Sequence, residues 1–399
     1  MLWIGFISSI MLLIVIARKS IWLGLLVSSL ILGLFSMSVF NIGVAFIKAS
    51  VNADNLFLCI SMALIPLIGG LMEDSGQMDD LVNSIRINKA AFNALAPALV
   101  GLLPVAGGAL ISAPMVNRAA QELKPESRCA LNVWFRHTLF LIYPVGSTLI
   151  LSAREAGIDR YMALVYLSPF LLITIILGYI FFLRPLKGKN ESETTPKREA
   201  FVKALIVILV TPILDISLKF IFPLEAMGIG NLSLLIGVVL STVLSLKWSG
   251  FGKEELKVTT KKAKPWNFFL FMLFIFFFLE VFYFSGIDDE ISSYNLSPFM
   301  LLVVIGFAFG FITGRINVPL LIIIPLYMTT YTVAIMSPLA YVIAYMSVYY
   351  GYAISPVHPC VSATLEYFNI GYGKTAKMML YPTIVAMAIL VILSFLVQA

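Results

Sequence analysis

Long apolar runs separated by short polar segments dominate the chain. A membrane-spanning helix needs about 20 mostly apolar residues, and two series of such runs meet that rule. The first series covers residues 2–17, 21–40, 55–72, 130–153 and 162–184. The second covers residues 201–222, 231–246, 267–285, 339–365 and 377–398. This pattern predicts an all-α polytopic membrane protein.

Two further apolar segments, residues 91–118 and 297–330, are interrupted in the middle by proline and glycine. Helix interiors tolerate both residues poorly, so each segment either crosses once with a kink or enters and returns as a re-entrant hairpin. Lys and Arg collect in cytoplasmic loops. If both segments are hairpins, 21 of the 27 basic residues are cytoplasmic. We therefore predict two hairpins, with both chain termini outside.

The two series of runs form an internal repeat. An offset of about 210 to 213 residues brings the halves into register, and Tyr143-Pro144-Val145 then falls beside Ser355-Pro356-Val357. Five spans and one hairpin make an odd number of crossings, so the second half is predicted to be inverted relative to the first. The predicted repeats are residues 1–187 and 201–399, joined by a cytoplasmic linker at 188–200. The alternative is chance similarity between apolar helices.

Composition excludes most soluble classes of protein, because 60% of the 399 residues are hydrophobic, 12% are charged and the mean hydropathy is +0.98. The excess of 27 basic over 21 acidic residues lies in loops beside apolar runs. That distribution indicates membrane topology and argues against nucleic acid as a partner. The first run lacks a basic leader and a small-residue cleavage site, so we expect a retained span.

Motifs for covalent chemistry are missing from the sequence. It has no Gly-x-x-x-x-Gly-Lys-[Ser/Thr], no His-Glu-x-x-His and no Gly-x-Ser-x-Gly, so neither ATP-driven pumping nor an intramembrane enzyme is supported. Cys59, Cys129 and Cys360 are scattered, which predicts neither disulfides nor a metal site. We expect no cofactor apart from a co-transported ion. The Phe-rich run at 268–284 is expected to face lipid.

The broken segments are where a substrate is expected. Backbone groups left unpaired at membrane depth persist only where protein or a water-filled cavity satisfies them. The hairpin tips and the interrupted spans at 143–148 and 355–362 should meet near the midplane, where helix N-termini favour an anion. The predicted substrate-binding residues are Gly107, Gly108, Gly146, Ser147, Thr148, Thr313, Gly314, Arg315, Asn317, Ser355, His358 and Ser362.

Arg315 is the foremost candidate. A charged side chain at the tip of a re-entrant hairpin costs at least about 2.5 to 3.5 kcal/mol on insertion scales unless a partner compensates it. A carboxylate substrate would be such a partner, with bidentate geometry. The alternative is that Arg315 pairs with backbone carbonyls or with Glu280.

His358 lies between Pro356 and Pro359, and its side chain titrates near neutral pH. It is predicted to bind substrate or to carry a proton, the alternative being a satisfied core histidine. Arg136 and His137 are expected to form a snorkelling or inter-helix pair, the alternative being that they face inward and approach the cavity. The candidates for binding the coupling ion are His358, Thr148, Glu280 and Asp215, the alternative for Glu280 and Asp215 being a role as structural partners of buried cations.

The arrangement of five spans and one hairpin, present twice, resembles the ion transporter superfamily, which includes divalent-anion sodium symporters, gluconate permeases and citrate-metal transporters. More closely, it looks like a ten-span, largely archaeal, prokaryotic family in that group. The dicarboxylate branch carries Ser-Asn-Thr signatures at its tips and breaks. This chain instead has Gly107-Gly108, Gly146-Ser147-Thr148, Arg315-Ile316-Asn317 and Ser355 to His358.

The resemblance implies a scaffold domain that dimerises and a transport domain that slides across the membrane with its substrate. The sequence therefore predicts a secondary active transporter of a small organic anion, a carboxylate, coupled to H⁺ or Na⁺ by an elevator-type mechanism. It is expected to be a homodimer in the cytoplasmic (inner) membrane. The alternatives are an anion channel and a non-transporting membrane subunit of a larger complex.

Overall fold

The structure, a computed structural model, describes residues 1–102, 108–189, 197–294 and 296–397. These residues form α-helices joined by short connections, with no β-strand among them. Six of the described helices are long and apolar enough to cross a membrane, and shorter apolar helices accompany them. The predicted class of an all-α polytopic membrane protein is confirmed.

The described residues of the first half form ten α-helices. They are α1 (Leu2–Ala17), α2 (Ile21–Ser36), α3 (Val39–Val51), α4 (Ala53–Asp74), α5 (Gln77–Asn83), α6 (Lys89–Gly101), α7 (Gly108–Ala119), α8 (Pro125–Arg136), α9 (Ser147–Glu155) and α10 (Arg160–Gly178). A 3₁₀ turn, Leu139–Ile142, lies between α8 and α9, and a π-helical turn, Tyr179–Leu183, extends α10.

The described part of the second half forms ten more α-helices. They are α11 (Arg198–Ile221), α12 (Leu232–Ser249), α13 (Lys253–Ala263), α14 (Pro265–Ser285), α15 (Ile287–Ser292), α16 (Gly306–Thr313), α17 (Asn317–Thr330), α18 (Pro338–Ala353), α19 (Pro359–Phe368) and α20 (Tyr372–Ser394). A π-helical segment, Phe299–Ile305, leads into α16.

The order of helices in the first half recurs in the second. Helix α4 begins at Ala53 and α14 at Pro265, while α10 begins at Arg160 and α20 at Tyr372. Both pairs match the offset expected from the sequence. The exact limits of the two repeats and the inverted orientation of the second stay predictions.

The chain folds into two compact units, and each unit combines part of both halves. Unit 1 comprises Met1–Leu81 and Lys197–Ser293, and unit 2 comprises Val82–Pro196 and Tyr294–Ala399. A repeat is defined along the sequence, whereas a compact unit is defined by packing. The two divisions of the chain therefore differ without contradiction.

In unit 1, helices from the first half of the chain pack against helices from the second half. Helix α2 packs on α14 while α12 packs on α4, and α3 packs on α14 while α13 packs on α4. Serine hydroxyls join neighbouring helices: Ser9 and Ser28 each donate to the other's carbonyl oxygen, at 3.0 and 2.9 Å, and Ser241 donates to Val207 O at 2.7 Å. Small hydroxyl residues allow such close approach inside a membrane.

The Phe-rich helix α14 lies inside unit 1, so the expectation that this run faces lipid is wrong. The side chains of Phe277, Phe278 and Phe282 are at most 2% exposed, and α14 contacts α2, α3 and α4. A helix that is apolar on every side can be buried on every side. The composition of α14 therefore cannot distinguish a helix that faces lipid from one that is buried in protein.

In unit 2, too, helices from the two halves pack against each other, and this unit contains both predicted hairpins. Helix α6 packs on α7 and α16 on α17, while α7 packs on α19 and α17 on α9. Each hairpin therefore contacts the broken span of the other half. Helices α16 and α18 cross closely, because a Cβ on Gly310 would lie 2.2 Å from Val348 O and a Cβ on Gly351 2.1 Å from Phe307 O. Re-entry of these hairpins into the membrane stays a prediction.

Candidate functional site

Two spans of unit 2 are broken where the sequence predicts. Helix α8 ends at Arg136 before α9 begins at Ser147, and α18 ends at Ala353 before α19 begins at Pro359. Pro144 and Pro356 lie in these breaks, and proline prevents a helix from continuing because it lacks an amide hydrogen and clashes with the preceding turn. Helices α9 and α19 thus begin within the unit, and their N-termini carry unpaired N–H groups and a partial positive charge.

Asn317, the first residue of α17, joins the second hairpin to the break in the first half. Its Nδ2 donates to Ser147 Oγ at 3.1 Å, and its Oδ1 accepts a hydrogen bond from Thr148 Oγ1. We call Ser147, Thr148 and Asn317 the hydroxyl corner. All three are predicted site residues, and the structure brings them together although 169 positions separate Thr148 from Asn317.

The tip of the second hairpin also lies against the second break. Gly314 has φ +59°, and a Cβ there would lie 2.9 Å from both His358 N and Val357 C. Glycine is needed for the left-handed backbone and for this approach. Thr313 is a local cap: its hydroxyl donates to Phe309 O at 2.6 Å and accepts from Arg315 N at 3.3 Å.

Two histidines, one tyrosine and one cysteine cluster at the second break. The ring centroids of His137 and His358 are 4.7 Å apart, and the Tyr352 ring stacks on His358 at 3.9 Å. The ligand atoms of His137, His358 and Cys360 all lie within 4.8 Å of one another. We call His137, Tyr352, His358 and Cys360 the imidazole corner. Sequence reasoning identified only His358 of these four.

Arg136 connects the imidazole corner to the first hairpin. Its side chain is 4% exposed, and Nη1 donates to Gly108 O at 2.8 Å. A Cβ on Gly108 would lie 2.3 Å from Arg136 Nη2, so glycine makes room for the guanidinium group. One turn earlier on α8, Asn132 Nδ2 donates to Thr364 Oγ1 of α19 at 3.1 Å.

Arg136 and His137 are therefore buried inside unit 2 and do not snorkel. The hydrogen bond from Arg136 to Gly108 O of α7 is an inter-helix contact, the other arrangement expected from the sequence. The i,i+4 spacing of Asn132 and Arg136 places them on one helix face. This spacing in the sequence indicates that the two side chains share a helix face. Only the fold shows that the face points into unit 2.

Positive charge predominates inside this unit. Tyr352 lies within electrostatic range of both Arg136 and Arg315. The buried ionisable side chains include Arg136 and Arg160 together with the two histidines, and no carboxylate is buried in the described part of unit 2. Cations inside a membrane protein are costly, so an anion at this place would be stabilised.

The remaining predicted residues have varied surroundings. Gly146 is the N-cap of α9, and the Ser355 hydroxyl donates to Phe311 O at 2.6 Å, which ties the second break to α16. Ser362 is exposed and bonds weakly to Pro356 O at 3.4 Å. Gly107 lies outside the described residues.

The two acidic candidates for ion coupling, Asp215 and Glu280, belong to unit 1. Asp215 accepts a hydrogen bond of 2.6 Å from Ser233 Oγ, which gives it a partner between α11 and α12. The other two coupling candidates, Thr148 and His358, belong to unit 2.

Comparisons with known proteins give a family and a fold. A family model described as "Protein of unknown function (DUF401)" matches residues 3–398. The search of curated proteins found no match. Among solved structures, the chain is similar to the YdaH transporter of Alcanivorax borkumensis, which is described as having an unusual topology. The TM-score is 0.61 at 14% identity, and the match covers 88% of this chain and 86% of that chain. At this identity the likeness shows a shared fold alone.

Proposed function

The chain belongs to the DUF401 family, and we propose that it is a secondary active transporter of a small organic anion. The observation that carries this proposal is the pair of arginines in unit 2. Arg136 and Arg315 come from different halves of the chain, and both lie within electrostatic range of Tyr352. They stand where the hairpins contact the breaks.

A carboxylate fits this place for three physical reasons. A guanidinium group binds a carboxylate through two parallel hydrogen bonds. The N-termini of α9 and α19 add partial positive charge. The contacts of Gly108 with Arg136, of Gly314 with His358 and of Asn317 with Ser147 link the two hairpin tips to the two breaks. A small anion is therefore expected beside Arg315 and Tyr352.

The two corners suggest different coupling ions. The hydroxyl corner supplies amide and hydroxyl oxygens, which are the kind of ligand that a hard cation such as Na⁺ prefers. His358 is a buried imidazole, the side chain best suited to carry a proton near neutral pH. Coupling to Na⁺ predicts involvement of Thr148, whereas coupling to H⁺ predicts involvement of His358.

The distribution of the site supports an elevator-type mechanism as part of this proposal. Unit 2 holds both hairpins, both breaks and both arginines, so one body carries the whole site. In this mechanism unit 2 moves across the membrane, while unit 1 is the scaffold and forms a homodimer. The protein then lies in the cytoplasmic membrane with both termini outside. The similar YdaH structure is described as a transporter.

The test is thermal stabilisation of the purified protein by gluconate, citrate, succinate, lactate and phosphate, with and without sodium, at two pH values. A bound ligand raises stability by RT ln(1 + [L]/Kd), about 2.7 kcal/mol at a hundredfold excess over Kd. We expect a selective shift with one carboxylate. Its dependence on sodium or on pH identifies the coupling ion.

Substitutions test whether the thermal shift arises from binding at the proposed site. Arg315→Ala should strongly reduce the shift at a given anion concentration, and His358→Ala should change the pH dependence of uptake into proteoliposomes. Arg118→Ala, at an exposed arginine of α7, is the matched control and should keep both. If no anion stabilises the wild-type protein, the proposal fails, and conductance measurements and a search for a partner chain would then test the channel and subunit alternatives.

A further inference from the structure

The imidazole corner brings together His137, His358 and Cys360, of which only His358 has a role in the proposed transport site. His137 Nδ1 bonds to Val133 O at 3.0 Å. That bond places the proton on Nδ1 and leaves the Nε2 lone pair available, as in many histidines that bind metals. His358 is 1% exposed, and in the described part of the chain its ring nitrogens make no hydrogen bond of good geometry. Their polar contact is with the Cys360 thiol.

A buried imidazole that faces a thiol in place of a strong hydrogen-bond partner is poorly satisfied, which points to a missing ligand. Cys360 supplies the third donor: its Sγ and one nitrogen of each histidine lie within 4.8 Å of one another. Cys360 is also the second residue of α19, where the partial positive charge of the helix N-terminus stabilises a thiolate.

We propose that His137, His358 and Cys360 bind one thiophilic d¹⁰ metal ion, Zn²⁺ or Cu⁺. Both ions take imidazole and thiolate ligands, and neither demands a fixed geometry. Bonds of about 2.0 Å to nitrogen and about 2.3 Å to sulfur place ligand atoms roughly 3.3 to 3.8 Å apart. The ligand atoms, which lie within 4.8 Å of one another, would have to approach one another by about 1 Å to bind the ion. Small side-chain rotations are enough for this movement. This inference does not depend on transport.

The neighbouring charges favour the monovalent ion. Arg136 is the residue before His137, and its guanidinium group is buried. A thiolate with two neutral imidazoles carries one negative charge, so Cu⁺ gives a neutral centre whereas Zn²⁺ leaves one positive charge beside Arg136. Like charges in a buried place repel. We therefore expect tighter binding of Cu⁺ than of Zn²⁺.

The test is metal content, measured on full-length protein purified without a polyhistidine tag. The protein is incubated with Zn²⁺, or with Cu⁺ kept reduced by ascorbate, and is dialysed before elemental analysis. We expect about one ion per chain for the wild type. Cys360→Ser should retain less than a tenth of that amount, while Cys129→Ser, at a buried thiol on α8 outside the cluster, should retain all of it.

A spectrum separates ligation from misfolding. Co²⁺ bound through a thiolate gives a sulfur-to-metal charge-transfer band in the near ultraviolet. The band should appear in the wild type and in Cys129→Ser, and it should be missing from Cys360→Ser that elutes as a single species and melts cooperatively. His358→Gln should also lose metal. A wild-type chain that binds no ion, or a Cys360→Ser variant that keeps both metal and band, would overturn the proposal.

Discussion

The hydroxyl corner and the imidazole corner occupy equivalent places in the two halves but have different chemistry. In each, the second helix of one hairpin packs on the helix that follows the break of the other half: α17 on α9, and α7 on α19. At the first, an asparagine amide and two hydroxyls satisfy one another. At the second, two imidazoles and a thiol lie close together, and the buried Arg136 lies within electrostatic range of His358.

The difference shows that a repeated backbone plan does not require repeated side chains. The packing between hairpin and broken span depends on helix starts and on glycine, which both halves supply. The side chains at the starts are free to diverge. We therefore propose the first corner for a hard cation, and the second for an anion beside Arg136 or for a metal ion at its imidazoles.

The largest effect is expected from Arg315→Ala, which removes the charge contributed by the second hairpin. A hydrogen bond to a charged group contributes about 1.5 to 3 kcal/mol, so anion affinity should fall roughly ten- to hundredfold. Titration of the thermal shift measures it, with Arg118→Ala as the control. Equal affinity in Arg315→Ala and wild type would remove Arg315 from the site.

Gly314→Ala tests whether the second hairpin is seated on the second break. A Cβ would strain a backbone with φ +59° and would lie 2.9 Å from His358 N. Left-handed conformation alone costs about 1 to 2 kcal/mol for a residue with a side chain, so the free energy of unfolding should fall by about 1 to 3 kcal/mol. Chemical denaturation in detergent measures it.

Gly373→Ala is the matched control for this change, because a Cβ there has no atom within 4 Å and the residue lies in helix α20. That variant should be neutral or slightly more stable. Equal effects of the two substitutions would show that the contact at Gly314 is unimportant.

Asn317→Ala tests the hydroxyl corner by removing both hydrogen bonds to Ser147 and Thr148. A hydrogen bond contributes about 1 kcal/mol net, so we expect a loss of roughly 1 to 2 kcal/mol in stability. Any sodium dependence of anion binding should disappear with it. Thermal melts with and without sodium measure both effects, and an unchanged sodium response would place the cation elsewhere.

Glu122→Gln is the contrasting change, at an exposed ion pair of unit 2. The hydrogen bond from Lys89 lowers the pKa of Glu122, so the pair contributes stability at neutral pH that is lost as the pH falls through that lowered pKa, below about 4.3. Exposed pairs contribute little, and we expect less than about 0.5 kcal/mol. A melting curve at pH 7 checks this, and a loss as large as that from Asn317→Ala would contradict it.

Much of the fold was predictable, because apolar length and the positions of proline depend on local chemistry. Spans such as 2–17 and 267–285 correspond closely to α1 (Leu2–Ala17) and α14 (Pro265–Ser285). The short helix α3, Val39–Val51, was missed, since the apolar run at 21–40 continues into it without a clear stop. The polar helix α13, Lys253–Ala263, was missed because the apolar criterion does not detect it.

The candidate site was predictable only in part. Gly314, Arg315 and Asn317 were identified because an interrupted apolar run marks a tip. His137, Tyr352 and Cys360 were missed, since each lies on an apolar helix or at its start and appears ordinary in sequence. These residues form a cluster only because folding brings His137 close to His358, although more than 200 positions separate the two in the sequence.

The sequence by itself determined where helices begin, break and repeat, because proline, glycine and apolar length act on a few neighbouring residues. Only the tertiary structure decided which breaks meet which hairpins and that α14 is buried. It also decided that Arg136 and His137 face inward and that Cys360 lies beside two imidazoles. Those outcomes depend on packing between helices from opposite halves of the chain, and contacts between distant residues leave no periodic signal in a single sequence.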